Sequence, residues 1–219
     1  MNSEEAKTLW ENKEYLTKGK RGLIYTATHN NKKYIIKTKN PESKAENTIR
    51  KEYENNKLLN KYDVGPKMYY YDEQQDFVIR EHVDGEKFFD WIKNVTNKQK
   101  IKNVFNKLIE QCKRMDEAKI NKLELNHPHK DIIIKNDEPT IIDFERCKKT
   151  TKPKNITQIS QFITSGKVKQ QLKKFNTEIN KQKILHLAEK YKQELIKNEE
   201  TKTYKEIKKE INKSFKTTT

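Results

Sequence analysis

Four groups of residues have the types and spacing to handle a polyphosphate and its metal ion. The first is Lys18-Gly19-Lys20-Arg21-Gly22, lying between two stretches of strand-forming residues. Two glycines there permit a tight turn whose amides can approach phosphate oxygens. The second is Lys37, which ends the apolar run Tyr34-Ile35-Ile36 and is placed to reach α- and β-phosphates. The third is an acid on the helix that follows, needed to orient the ammonium and keep it charged. Glu52 and Glu54 both qualify: the sequence Arg50-Lys51-Glu52 and the distance to Val64-Gly65-Pro66 favour Glu52, whereas Leu58, four residues on, favours Glu54. The fourth is the pair Asp131 and Asp143, which flank Ile132-Ile133-Ile134 and Thr140-Ile141-Ile142. Carboxylates brought together at the open end of one hairpin suit Mg²⁺, which takes one or two carboxylates plus phosphate oxygens.

These groups need a scaffold, and the chain supplies one. Tyr15 to Lys39 predicts a meander of strand, glycine turn, strand, polar His29-Asn30-Asn31 turn and strand. Asn40-Pro41-Glu42 carries a helix-start signature, and Ile49, Tyr53, Leu58, Leu59 and Tyr62 predict a helix to about Lys61. Gly65-Pro66 breaks it, and KMYYYDE with DFVIREHV predicts a hairpin. Thr96 and Gln99 form a capping box ahead of Ile101, Val104, Phe105, Leu108, Ile109, Cys112 and Met115 at helical spacing. Leu172, Phe175, Ile179, Leu185, Ala188, Tyr191 and Leu195 predict one or two further helices, and the Lys- and Glu-rich last twenty residues are expected to fray. The fold class is therefore α+β, β-rich in its first third and mainly helical after it.

Composition narrows the setting. The 219 residues suffice for one domain built as two lobes. The apolar residues are few, at 32% against 37% charged, but their periodicity argues against disorder. The formal charge is +16, and the stretch from residue 150 onward holds 17 Lys against 7 Glu. Such a tail attracts polyanions, RNA or a ribonucleoprotein among them, although a solvated helix face has the same composition. Two cysteines give no disulfide framework, the N-terminus has no secretory pattern, and no apolar run reaches membrane-spanning length. The expectation is a cytoplasmic protein without a membrane partner.

The motifs KGKRGLIY, YIIK, RKEYENNKLL with VGP, VIREHVDGE, HPHKDIII with TIIDFER, and TKPKNITQISQF span roughly residues 15 to 165. In that order they resemble the atypical archaeal serine/threonine protein kinase-like family, relatives of the RIO kinases and of the KEOPS kinase subunit. The resemblance implies a kinase-like fold with a small antiparallel β-rich N-lobe over residues 1–83 and a reduced helical C-lobe over 84–219. It implies ATP and Mg²⁺ as cofactors and a protein substrate as a possible partner. Gly19 and Gly22 would cover the nucleotide, Lys37 hold its phosphates, Glu52 orient Lys37, and Asp143 bind Mg²⁺. The main chain of Glu81-His82-Val83 would meet adenine.

The sequence departs from the family pattern at the expected general base. Counting back from Asp143 puts Asp131 where the magnesium-binding Asn belongs and Asn126 where the catalytic Asp belongs, and an amide cannot accept a proton. Glu124, His127 and His129 are close enough in sequence to substitute. Glu145 replaces the glycine that follows Asp-Phe. The two expectations are thus an ATP- and Mg²⁺-dependent kinase or ATPase, and a pseudokinase that responds to nucleotide and contacts RNA or a protein.

Overall fold

The computed structural model describes residues 1–128, 130–197 and 199–216. It is a mixed α and β structure that divides into two compact units. The first comprises Met1–Asp84 together with Ile142–Cys147, and the second Gly85–Ile141 together with Lys148–Thr219. A single cut in the chain therefore does not describe the division, because a six-residue segment from far downstream belongs to the first unit.

The first unit is built on an antiparallel five-stranded sheet of order β1-β2-β3-β5-β4. Its strands are β1 (Glu14–Lys18), β2 (Gly22–His29), β3 (Lys32–Lys39), β4 (Met68–Asp72) and β5 (Phe77–Glu81). Asn30 and Asn31 both adopt the left-handed conformation in the two-residue loop between β2 and β3, the turn whose twist matches its strands. Because side chains alternate across a sheet, Tyr34 and Ile36 of β3 and Phe77 and Ile79 of β5 share one face. Helix α1 (Ser3–Glu11) covers that face with Ala6 and Leu9, and Trp10 stacks on Phe77 at 4.2 Å. No helix was expected there. It is started by an Asn2–Glu5 capping box, which satisfies two of the free amides at its first turn.

The opposite face carries Lys37 of β3 and Val78 and Arg80 of β5, and Val78 packs with Ile49 and Met68. Helix α2 (Thr48–Asn60) lies on that side, burying Ile49, Glu52, Asn56 and Leu59. It begins later than the Asn40-Pro41-Glu42 signature suggested. Asn40 is occupied elsewhere: its side-chain amide donates to the Gly19 and Lys20 carbonyls, and its backbone N–H to the Arg21 carbonyl. At the far end of α2, Asn60 bonds the Val64 and Pro66 carbonyls and accepts from the Met68 amide, closing the helix end. Gly65 there has φ +79°, and a Cβ on it would lie 2.5 Å from Asn56 Oδ1 and 2.6 Å from the Phe144 ring. Only glycine fits that point.

In the second unit, α3 (Phe88–Asn94) precedes α4 (Lys98–Glu117), whose buried stripe is the run from Ile101 to Met115. The α4 cap is Asn97, whose side chain accepts from the Gln99 amide, so it replaces the expected Thr96–Gln99 box. Against α4 pack α5 (Asn155–Ile163), on which α6 (Gly166–Leu172) and α7 (Lys181–Ile196) lie, and α8 (Thr203–Ser214). The last of these lies where fraying was expected. Ile207, Ile211 and Phe215 are buried and hold it in place. Strands β6 (Glu86–Lys87), β8 (Ile132–Lys135) and β9 (Glu138–Ile141) form a small sheet, with Asn136 and Asp137 both left-handed in the β8–β9 turn. Strands β7 (Ile120–Lys122) and β10 (Cys147–Lys149) form a two-stranded ladder. Among the described residues no helix is long and apolar enough to cross a membrane.

Candidate functional site

Lys37 is the centre of a buried charge cluster inside the first unit. Its ammonium lies 2.5 Å from Glu52, 3.0 Å from Glu145 and 3.3 Å from Asp143. Strand β3 delivers Lys37, α2 delivers Glu52, and the returning segment 142–147 delivers the other two. Glu52 falls on the inner stripe of α2, between Ile49 and Asn56. Glu54, two positions on, is exposed and pairs with Arg50 along its own helix. Of the two acids open in the sequence, Glu52 is the partner of Lys37.

The returning segment is fastened to α2. Asn55 donates to the Phe144 carbonyl at 3.0 Å, and the Phe144 ring is fully buried against Gly65. Between these anchors Asp143 has φ +63°, a left-handed backbone that costs a non-glycine residue about 1 kcal/mol. Its side chain is 40% exposed, whereas those of Lys37, Glu52 and Glu145 are almost entirely buried.

Burial alone would pull the Lys37 ammonium down, but the carboxylates of Glu52, Asp143 and Glu145 outweigh it and hold the pKa well above the ordinary lysine value. Burial pushes Glu52 the other way, toward the neutral acid, while Lys37 and the Arg80 guanidinium favour its ionised form. Burial is the largest of these influences and raises the Glu52 carboxyl, with the Lys37 ammonium 2.5 Å away opposing it. Arg80 is itself buried, which lowers its pKa, and Glu52 and Asp143 partly restore it.

The glycine turn meets the same cluster. Gly19 N–H bonds the Gly22 carbonyl at 2.8 Å, closing the turn, and Arg21 reaches Glu145 at 3.0 Å. Gly22 passes so close to Lys37 that an added Cβ would sit 2.8 Å from Lys37 Cε. A glycine here makes room for the lysine stem. Arg21 was noted only as part of the glycine segment and Glu145 only as a departure from glycine, and both belong to the cluster. Glu52, Asp143 and Glu145 place carboxylate oxygens within 4.8 Å of one another. At the edge of the unit, the Glu81 amide donates to the Lys67 carbonyl and its carboxylate accepts from the Lys67 amide, fixing the end of β5 just before His82 and Val83.

The remaining candidates lie in the second unit. Asp131 pairs at 2.8 Å with Lys122, which is 2% exposed. Asn126 is half-buried and His127 exposed, and both line a cavity of about 270 Å³ with Phe89, Phe162 and Ser165. His129 lies outside the described residues. The loop before Asn126 is held by α5: Asn155 accepts from the Lys122 amide, and Gln158 accepts from the Leu125 amide and donates to the Lys122 carbonyl. Asp116, fully buried at the end of α4, accepts in turn from the amides of Asn155 and Ile156 and from the Asn155 side chain. Asp116 was not among the expected site residues. It reaches the candidate loop through Asn155, which accepts from the Lys122 amide.

No family model and no curated protein matches this chain.

Proposed function

We propose that the protein binds ATP with Mg²⁺ in a protein-kinase-like site centred on Lys37, and uses it as an atypical kinase or ATPase. The observation that carries this reading is the Lys37 cluster. A lysine on the third strand of an antiparallel sheet, beside a glycine turn, is gripped by an acid on the following helix and by an aspartate from far downstream. That combination is what a kinase-like phosphate site requires, and the order of elements along the chain agrees with it. In this reading the Gly19–Gly22 turn covers the phosphates, Lys37 binds them, Glu52 keeps Lys37 in place, and the main chain at Glu81 and Val83 faces the base. Asp143, left-handed and partly exposed while paired with Lys37 at 3.3 Å, suits a metal position better than Glu52 or Glu145, whose side chains are almost entirely buried. On the sequence resemblance Asp131 is also a metal candidate, and in the second unit it pairs with Lys122 at 2.8 Å. Mg²⁺ would neutralise phosphate charge.

The test is calorimetry of ATP binding with and without Mg²⁺, followed by γ-phosphate release. Wild type should bind, and Asp143→Asn should lose the Mg²⁺-dependent part of the affinity and at least about a hundredfold of any turnover. Absence of binding by wild type removes the proposal.

A second reading, a pseudokinase, is favoured by Asn126 at the expected base position. Binding without turnover would select it. Its partner surface in that reading is a groove of about 480 Å³ along α8, lined by Lys205, Lys208, Lys209, Lys213 and Lys216 together with Glu110, which pairs with Lys208. RNA affinity there should fall steeply with salt as counterions are released, and a flat salt response rules RNA out.

A further inference from the structure

Glu145 is the least expected member of the cluster, and its contacts are unusually economical. One carboxylate oxygen lies 3.0 Å from Lys37 Nζ and the other 3.0 Å from Arg21 Nη1. Its side chain is 8% exposed, while Arg21, standing in the glycine turn, remains 27% exposed. Two oxygens on one small anion therefore satisfy a buried cation and a cation of the turn, as two oxygens of a polyphosphate would.

Lys37 does not depend on Glu145 for its placement, and neither does the backbone of the turn that carries Arg21. Glu52 grips Lys37 more closely, at 2.5 Å, and the turn is closed by the Gly19–Gly22 hydrogen bond and held by Asn40 through the Gly19 and Lys20 carbonyls. What Glu145 contributes is charge at the place where Arg21 and Lys37 converge. An incoming polyanion meets a carboxylate already bound to both, and like charges brought together in a partly buried site repel strongly.

We propose that Glu145 is a built-in competitor of polyphosphate, bound to Arg21 and Lys37 in the free protein and displaced when a triphosphate enters, and that Arg21 is a phosphate ligand of the bound state. This rests on the nucleotide-site reading above and adds to it a control of affinity. No covalent step is involved, because one set of ion pairs is exchanged for another.

The experiment measures binding of inorganic tripolyphosphate and of Mg²⁺-ATP to the full chain by calorimetry, for wild type, Glu145→Gln, Arg21→Gln and the double variant. Glu145→Gln should bind tripolyphosphate at least about tenfold more tightly than wild type, the scale of one relieved like-charge contact. Adding Arg21→Gln should remove that gain. In the free protein, trypsin should cut after Arg21 faster in Glu145→Gln than in wild type, and saturating tripolyphosphate should restore protection. If Glu145→Gln does not fold, Glu145→Asp keeps the charge on an arm too short for both cations, and should show the same changes in reduced form. Unchanged or weaker tripolyphosphate binding by a folded Glu145→Gln overturns the inference while leaving the nucleotide site standing if wild type binds ATP. Failure of wild type and Glu145→Gln alike to bind either ligand overturns both.

Discussion

Lys37→Met should lower the unfolding free energy by about 3 kcal/mol and abolish ATP binding in the same protein. The stability loss follows from what the substitution leaves behind. Glu52 is buried, and without the ammonium it keeps only the attraction of Arg80, while Asp143 still raises its energy. Breaking a buried pair by removing one partner costs about 3 to 5 kcal/mol. The low end applies because Arg80 remains beside Glu52 and Asp143, and Arg21 beside Glu145. Urea unfolding reads the first effect and calorimetry the second. Adding Glu52→Leu should return part of the stability without returning binding, since the charge left unpaired is then gone. If Lys37→Met is as stable as wild type, the carboxylates are not held by the lysine, and the electrostatic account of the site fails.

Asp116 gives the second large effect, through pH. Burial pushes its carboxyl from the ordinary value of 3.8 up to about 7, with the amides of Asn155 and Ile156 and the Asn155 side chain pulling it part of the way back. Between those two values the folded protein holds a proton that the unfolded chain has released, so stability falls as pH rises. The contribution is complete below the unfolded value and is gone once pH passes about 7. At 1.36 kcal/mol per unit this amounts to a few kcal/mol at most. Tyr191 and Cys112 are buried near Asp116, and burial raises both, keeping them neutral through the window. The readout is the stability difference between wild type and Asp116→Asn at pH 4.5 and 7.5, which subtracts the carboxylates common to both. That difference should shrink on going to the higher pH. A constant difference would mean that three hydrogen-bond donors keep Asp116 ionised throughout.

Much of the scaffold was legible because its signals are local. The Asn30-Asn31 turn, the apolar runs on either side of it and the three-and-four spacing of α4 each lie within a few residues of one another. Glu52 could have been separated from Glu54 by the stripe Ile49, Glu52, Asn56, Leu59, which leaves Glu54 facing outward. The start of α2 was misread for a different reason. Asn40 has the chemistry of a helix cap, but a tertiary demand, the glycine turn, uses it first. The tail was misread because charge dominates its composition and conceals Ile207, Ile211 and Phe215 on one face. Arg21 and Glu145 are 124 residues apart. At that separation no pattern in the sequence announces a contact, and Glu145 stood out only as a departure from glycine.

The membership of segment 142–147 also has a consequence for how the chain is made. The first unit is discontinuous, so a ribosome releases all five of its strands and α2 well before the piece that completes it. Until residue 147 emerges, Lys37 has Glu52 but neither Asp143 nor Glu145, and the pocket beside Gly65 lacks the Phe144 ring. Domains generally fold in the order of synthesis, and long-range closure is slow. Here the charge site is therefore the last part of the first unit to be made, after the second unit's α4 and its β8–β9 hairpin and before its α5 to α8. A nascent chain stalled before Ile142 would carry the sheet without the completed charge cluster, which makes that cluster a late checkpoint of the first unit's synthesis.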